Sequence, residues 1–131
     1  MPGTEATPPV LVVDDNPDVR ECLCELLQIK GYKAVGAKDG KAALECLDAG
    51  VRPGLIILDL TMPRMNGWEF SAYVAHNPAL AAIPLLVVTA TPGHPPANAS
   101  VTLKKPVHLD ILMNFVAQYC GRSDPEAKRS L

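Results

Sequence analysis

The sequence predicts an α/β fold, a parallel sheet with helices on both faces. Three observations predict it. The runs Val10–Val13, Leu55–Leu58 and Leu85–Ala90 are short and apolar without strict alternation, as strands buried on both faces are. Segments of helical periodicity alternate with them, an order that yields parallel pairs joined by right-handed crossovers. Finally, polar residues follow the runs, above all Asp14-Asp15 and Asp59. Ends of parallel strands share one edge, where open α/β sheets bind ligands.

Taken in order, Met1–Pro9 reads as a flexible leader, because Pro2, Pro8 and Pro9 discourage regular structure. Val10–Val13 is the first strand. Asn16 suits a helix cap and Pro17 the first helical position. The helix runs to about Lys30, with Val19, Cys22, Leu23, Leu26 and Leu27 on one apolar stripe. Gly31 is placed to end it. Tyr32–Ala37 is a second strand. After Asp39-Gly40 a second helix covers Lys41–Asp48, closed by Ala49-Gly50. Leu55–Leu58 forms strand three and delivers Asp59. Met62-Pro63 turns the chain off the sheet, and Asn66-Gly67 is a turn signal. A third helix covers about Gly67–His76 and is expected to bury some of Trp68, Phe70, Ala72 and Tyr73. Leu85–Ala90 is strand four and Val101–Lys104 strand five. The last helix is Val107–Cys120, with Leu109, Leu112, Phe115, Val116 and Tyr119 on one face and Asp110 favouring its N-terminal end. Gly121 stops it, and a polar tail follows. The expected organisation is a leader (1–9), one domain (10–121) and a tail (122–131).

Composition narrows the function classes. With 131 residues, one domain is expected. A net charge of -2 gives no electrostatic footprint for nucleic acid or an anionic membrane. No apolar run approaches the ~20 residues of a spanning helix, and the leader lacks the regions of a signal peptide. The expected location is cytoplasmic. The four cysteines, Cys22, Cys24, Cys46 and Cys120, match no zinc spacing and read as reduced and mostly buried. His76, His94 and His108 show no ligand spacing.

The chemistry lies at the strand ends: Asp14-Asp15 after strand one, Asp59 after strand three, Thr89 ending strand four and Lys105 after strand five. If strands one and three are neighbours, three carboxylates converge, and their repulsion calls for a cation. Mg²⁺ prefers oxygen ligands and is held by one or two carboxylates with waters and a phosphate. The Lys105 ammonium can pair with an anion and the Thr89 hydroxyl can donate to it. A carboxylate nucleophile, a metal and two donors suit phosphoryl transfer onto Asp59. Singly, each residue has an ordinary reading. Asp14-Asp15 serve as helix-entry acids, Thr89 as a strand threonine and Lys105 as a solvated lysine. Placement at four successive strand ends is what joins them.

Val-Val-Asp-Asp-Asn (12–16), Leu-Asp-Leu-Thr-Met-Pro-Arg-Met-Asn-Gly (58–67), Val-Val-Thr-Ala (87–90) and Lys-Lys-Pro (104–106), in this order, resemble the receiver domain of bacterial two-component response regulators. The resemblance covers about Pro9–Gly121. It implies a flavodoxin-like five-stranded sheet of order 2-1-3-4-5. It also implies Asp59 as phosphoacceptor, Asp15 and Asp59 as direct Mg²⁺ ligands, Asp14 acting mainly through water and the Thr61 backbone carbonyl as a further ligand. Thr89 takes the role of switch hydroxyl and Lys105 that of the phosphate-pairing lysine, in a Lys105–Pro106 bond that is often cis in the family. The phosphodonor is a phosphohistidine on a sensor histidine kinase or a histidine phosphotransferase. Such a domain is a signalling switch rather than an enzyme.

Two departures set further expectations. Thr91–Ser100 holds three prolines and one glycine in ten residues and is not expected to form a helix between strands four and five. The fold is therefore expected to have its fourth helix missing or replaced by a Pro-rich loop. That loop is expected to take part in reading out phosphorylation, beside thinly covered apolar surface that a downstream protein partner or a second copy covers. Thr102 stands where the family often has an aromatic switch residue. The tail is too short to fold as an output domain, so the signal is expected to leave by protein contact or onward phosphoryl transfer. The alternative is a receiver-like binding module that does not use phosphate. A Mg²⁺-dependent phosphatase ranks third, because residue 61 is Thr rather than a second acid and no segment is long enough for a cap.

Overall fold

A computed structural model of the chain describes residues 8–60, 67–90 and 95–120. They form β1 (Val10–Val13), α1 (Pro17–Ile29), β2 (Ala34–Ala37), α2 (Gly40–Asp48), β3 (Leu55–Asp59), α3 (Gly67–His76), β4 (Leu85–Thr89), β5 (Ala99–Lys104) and α4 (Leu109–Cys120). The five strands are parallel, in the order β2-β1-β3-β4-β5. The central strands β1, β3 and β4 are buried along their whole length, which is why their runs are continuously apolar. At the sheet edge, β5 alternates half-buried and exposed residues and begins two residues earlier than its sequence suggests.

Two cores lie on opposite faces of the sheet. Leu11, Ile56, Leu58, Leu85 and Val87 pack with Leu47 of α2 and with Phe70 and Val74 of α3. Val10, Val12, Ile57 and Leu86 pack with Leu27 of α1 and with Leu112, Val116 and Cys120 of α4. Alternate residues of each strand serve the two faces, as the period-2 geometry requires. Asp14 and Asp59 continue the series of Val12 and Ile57, so they belong to the α1–α4 face.

The local signals act as expected at several ends. The Asn16 side chain accepts from Asp18 N (2.9 Å) and Val19 N (3.3 Å), and Pro17 opens α1. Gly31 adopts φ 96° just after α1, a conformation that costs glycine little. Asp39 caps α2 through Ala42 N at 2.8 Å.

Two expectations are corrected, one on the fourth helix and one on the stripe of α1. The fold does not lack its fourth helix: α4 is the fourth among the described residues and comes after β5. It forms because Leu112, Val116 and Cys120, one turn apart, bury a stripe against the sheet. In the β4–β5 connection, residues 91–94 lie outside the described residues, while 95–98 are irregular and turn. On α3 the expected partial burial holds, with Phe70 buried and Trp68, Ala72 and Tyr73 exposed, and Gly67, Ser71 and Val74 complete the inner face. Ser71 is tolerated inside because its hydroxyl donates to the Trp68 carbonyl at 2.9 Å. On α1, Val19 and Cys22 are exposed, and only Leu27 is fully buried.

Gly67 ties α3 to the end of β3. Its N–H donates to the Leu60 carbonyl at 2.9 Å. A Cβ there would stand 2.7 Å from Leu60 Cα and 3.0 Å from the Asp59 carbonyl oxygen. Backbone cannot swing aside as a side chain can. Gly67→Ala is therefore expected to destabilise the fold by roughly 1–3 kcal/mol, as overpacking does. A urea denaturation midpoint measures it.

Candidate functional site

Register brings the acids together. Val13 pairs with Leu58 across β1 and β3, so the residues that follow them, Asp14 and Asp59, emerge side by side. Carboxylate oxygens of Asp14, Asp15 and Asp59 all lie within 4.8 Å of one another. Asp14 and Asp59 are 6% and 7% exposed, whereas Asp15 points to solvent. The Asp14 carboxylate accepts from Asn16 N at 2.9 Å, so the residue that caps α1 also orients an acid of the site.

The other two strand ends complete the group. Thr89 closes β4, next to β3, and is buried. Its carbonyl accepts from Lys105 N at 2.9 Å, which brings the end of β5 alongside. Lys105 Nζ then lies 3.6 Å from Asp59 Oδ2, and the Lys105–Pro106 bond is cis. The lysine side chain is about a third exposed (35%), so this ion pair is worth no more than about 1 kcal/mol to the fold. Its significance is positional: one ammonium stands at the one acid that ends a fully buried strand. Thr61, the remaining expected ligand, lies outside the described residues.

Three clustered oxygen donors, two of them shielded from water, fit a hard divalent cation better than they fit the fold alone. Asp14, Asp15 and Asp59 could hold Mg²⁺, leaving Lys105 and Thr89 to face an anion bound beside it.

Two features escaped the sequence reading. Arg20 donates from Nη1 to the Asp14 carbonyl oxygen at 2.9 Å while its stem lies over Gly36. Its place one turn past the Asn16 cap was the only available signal. The second is a cleft of about 480 Å³ between α1 and α4, with Asp14, Asp59 and Lys105 among its lining residues.

The cysteines stay outside the site, and all four are free. Cys120 is buried, Cys24 and Cys46 half-buried and Cys22 exposed, so the expectation of mostly buried thiols holds for only part of the set. Burial pushes the Cys120 thiol up to about 11. A raised thiol pKa favours the neutral form in the folded state. Its stabilisation is full below the unfolded thiol pKa and is lost as pH rises through about 11. A denaturation series from pH 8 to 11 is expected to show a decline that Cys120→Ala reduces.

The sequence model described as the response regulator receiver domain matches residues 10–117. The response regulator MprA of Mycolicibacterium vanbaalenii is 33% identical over 89% of the chain, and the chain spans about half (52%) of that protein's length. The crystal structure of a response regulator receiver protein from Pseudomonas putida superposes with a TM-score of 0.76 at 33% identity, covering 86% of this chain and 98% of that one. The response regulator TrrA of Thermotoga maritima, solved in complex with Mg²⁺-BeF, superposes with a TM-score of 0.74 at 29% identity, again covering 86% and 98%.

Proposed function

The chain belongs to the response regulator receiver family of two-component signalling, and on that premise we propose that Asp59 accepts a phosphoryl group from a phosphohistidine in a Mg²⁺-dependent reaction. The observation that carries this reading is the joint placement of three carboxylates within 4.8 Å and of Lys105 at 3.6 Å from Asp59. The donor partner is a sensor histidine kinase or a histidine phosphotransferase in the cytoplasm, and the phosphorylated state is passed on by contact with a downstream protein. Among the described residues no helix is long and apolar enough to cross a membrane.

The residues divide the work. A carboxylate oxygen of Asp59 attacks phosphorus as the P–N bond to the donor imidazole breaks, and the imidazole nitrogen keeps the electron pair. Lys105 offsets charge on the incoming phosphoryl oxygens. The Thr89 hydroxyl donates to one of them, so its orientation reports the modification. Asp14, Asp15 and Asp59 would hold Mg²⁺, with Thr61 as the further ligand that the family resemblance implies, and the ion would neutralise phosphoryl charge. Arg20 and Asn16 hold the Asp14 segment in place.

A mixed anhydride on a carboxylate is cleaved by hydroxylamine, whereas a phosphoserine ester is not. Label taken up from a small-molecule phosphodonor is expected to leave in neutral hydroxylamine. Label that persists would place the phosphate on another residue and end this reading. The second reading, a binding module that does not use phosphate, rests on Thr102. This residue is exposed on β5, where an aromatic switch would otherwise stand.

A further inference from the structure

We propose that the cleft between α1 and α4 binds small apolar molecules that carry a protonated amine, with the ammonium seated against Asp14 and Asp59. The cleft holds about 480 Å³, within the range of sites that take small organic ligands. Its walls are aliphatic: Val12 and Ile57 form the floor, Leu23 of α1 and Leu112 of α4 the sides. Among the described residues its charged lining groups are Asp14, Asp59 and Lys105, all at or just past strand ends. Val19 and Leu109 line the same cleft and remain 39% and 45% exposed, so part of its apolar wall meets water.

The charges select the head group. Among the described residues Asp14, Asp15 and Asp59 outnumber Lys105, and they outnumber Lys105 and Arg20 together. A carboxylate head would meet this excess of like charge. A neutral head would fill the walls yet take water from the acids without adding positive charge to the one that Lys105 supplies. An ammonium gains charge-assisted hydrogen bonds while its body takes the aliphatic walls. The same oxygens are those assigned above to a divalent cation, so ligand and metal exclude one another. That exclusion rests on the proposed metal reading, but occupation of the cleft does not.

The test compares cyclohexylmethylammonium, cyclohexylmethanol and cyclohexanecarboxylate on the full chain without metal, followed by methyl resonances. The ammonium is expected to bind about tenfold or more tighter than the alcohol, with the carboxylate weakest, and shifts centred on Val12, Leu23, Val88 and Leu112. Asp59→Asn is expected to narrow the gap between ammonium and alcohol. Leu23→Phe, which fills the cleft, is expected to weaken all three. Equal affinities, shifts centred elsewhere or no effect of Leu23→Phe would overturn the proposal. Mg²⁺ binding is measured separately without ligand. A chain that binds the ammonium but no Mg²⁺ would remove the metal reading and leave the cleft assignment standing. Ammonium binding undiminished by bound Mg²⁺ would place the metal away from these acids and overturn the metal reading, whereas methyl shifts centred outside the cleft would overturn the cleft assignment.

Discussion

Replacing Asp59 with Asn is expected to abolish phosphoryl acceptance, a fall of at least about 10³-fold in labelling rate, while the fold persists. The amide keeps the shape of the side chain at the end of β3 but is no longer a nucleophile. Two opposed effects act on stability. One of three clustered carboxylates is neutralised, which relieves repulsion. A partly exposed ion pair with Lys105 is lost, worth no more than about 1 kcal/mol. The net change without metal is expected to stay within about 1 kcal/mol. Labelling from a phosphodonor together with a urea midpoint reads both. A variant that still accepts label would move the acceptor elsewhere. One that unfolds would make Asp59 structural.

Asp15→Asn carries the second large effect, on the metal. Asp15 is the exposed member of the cluster, so its carboxylate contributes little to packing. Its removal is expected to lower Mg²⁺ affinity by about 10–100-fold or more. Ligand binding to the native state raises stability in proportion to the logarithm of ligand concentration over Kd. Wild type should therefore melt at higher temperature as Mg²⁺ is added, and Asp15→Asn should barely respond at the same concentrations. Equal responses would mean that the metal binds away from these acids.

The parts of the molecule legible in the sequence are those fixed by burial on both sides. Val10–Val13 and Leu55–Leu58 announce themselves because every residue along them is buried, and Leu85–Ala90 does so as far as Thr89, with Ala90 exposed. β5 is harder: only alternate residues are covered, so nothing in Ala99-Ser100 marks its start. On α3, apolar character points to Phe70, which is buried, but does not reveal the rest of the inner face. The helix exposes Trp68 and Tyr73 and buries Ser71, whose hydroxyl is satisfied within the helix. The final helix is legible in the sequence as Val107–Cys120 and is α4, built on the Leu112–Val116–Cys120 period, so the expectation of a missing fourth helix fails although the helix itself is foreseen.

At the site, Asp14, Asp59, Thr89 and Lys105 were legible because strand ends of a parallel sheet share an edge, and the register of Val13 with Leu58 then sets the acids side by side. Arg20 was not legible as a partner of Asp14, since its reach from α1 depends on how that helix lies over Gly36. The cleft was illegible for a different reason. It is space left between aliphatic side chains, and Val19, Leu23 and Leu112 read from sequence as ordinary core.

Intact mass after incubation with a small-molecule phosphodonor tests the central claim most directly, with Mg²⁺ present in one arm and EDTA in the other. The account predicts one phosphoryl increment in the Mg²⁺ arm, none in EDTA, and none in either arm for Asp59→Asn. No increment in a folded chain with Mg²⁺ present would contradict it and favour the binding module that does not use phosphate. An increment that survives EDTA would contradict the assignment of Asp14, Asp15 and Asp59 as a required metal site.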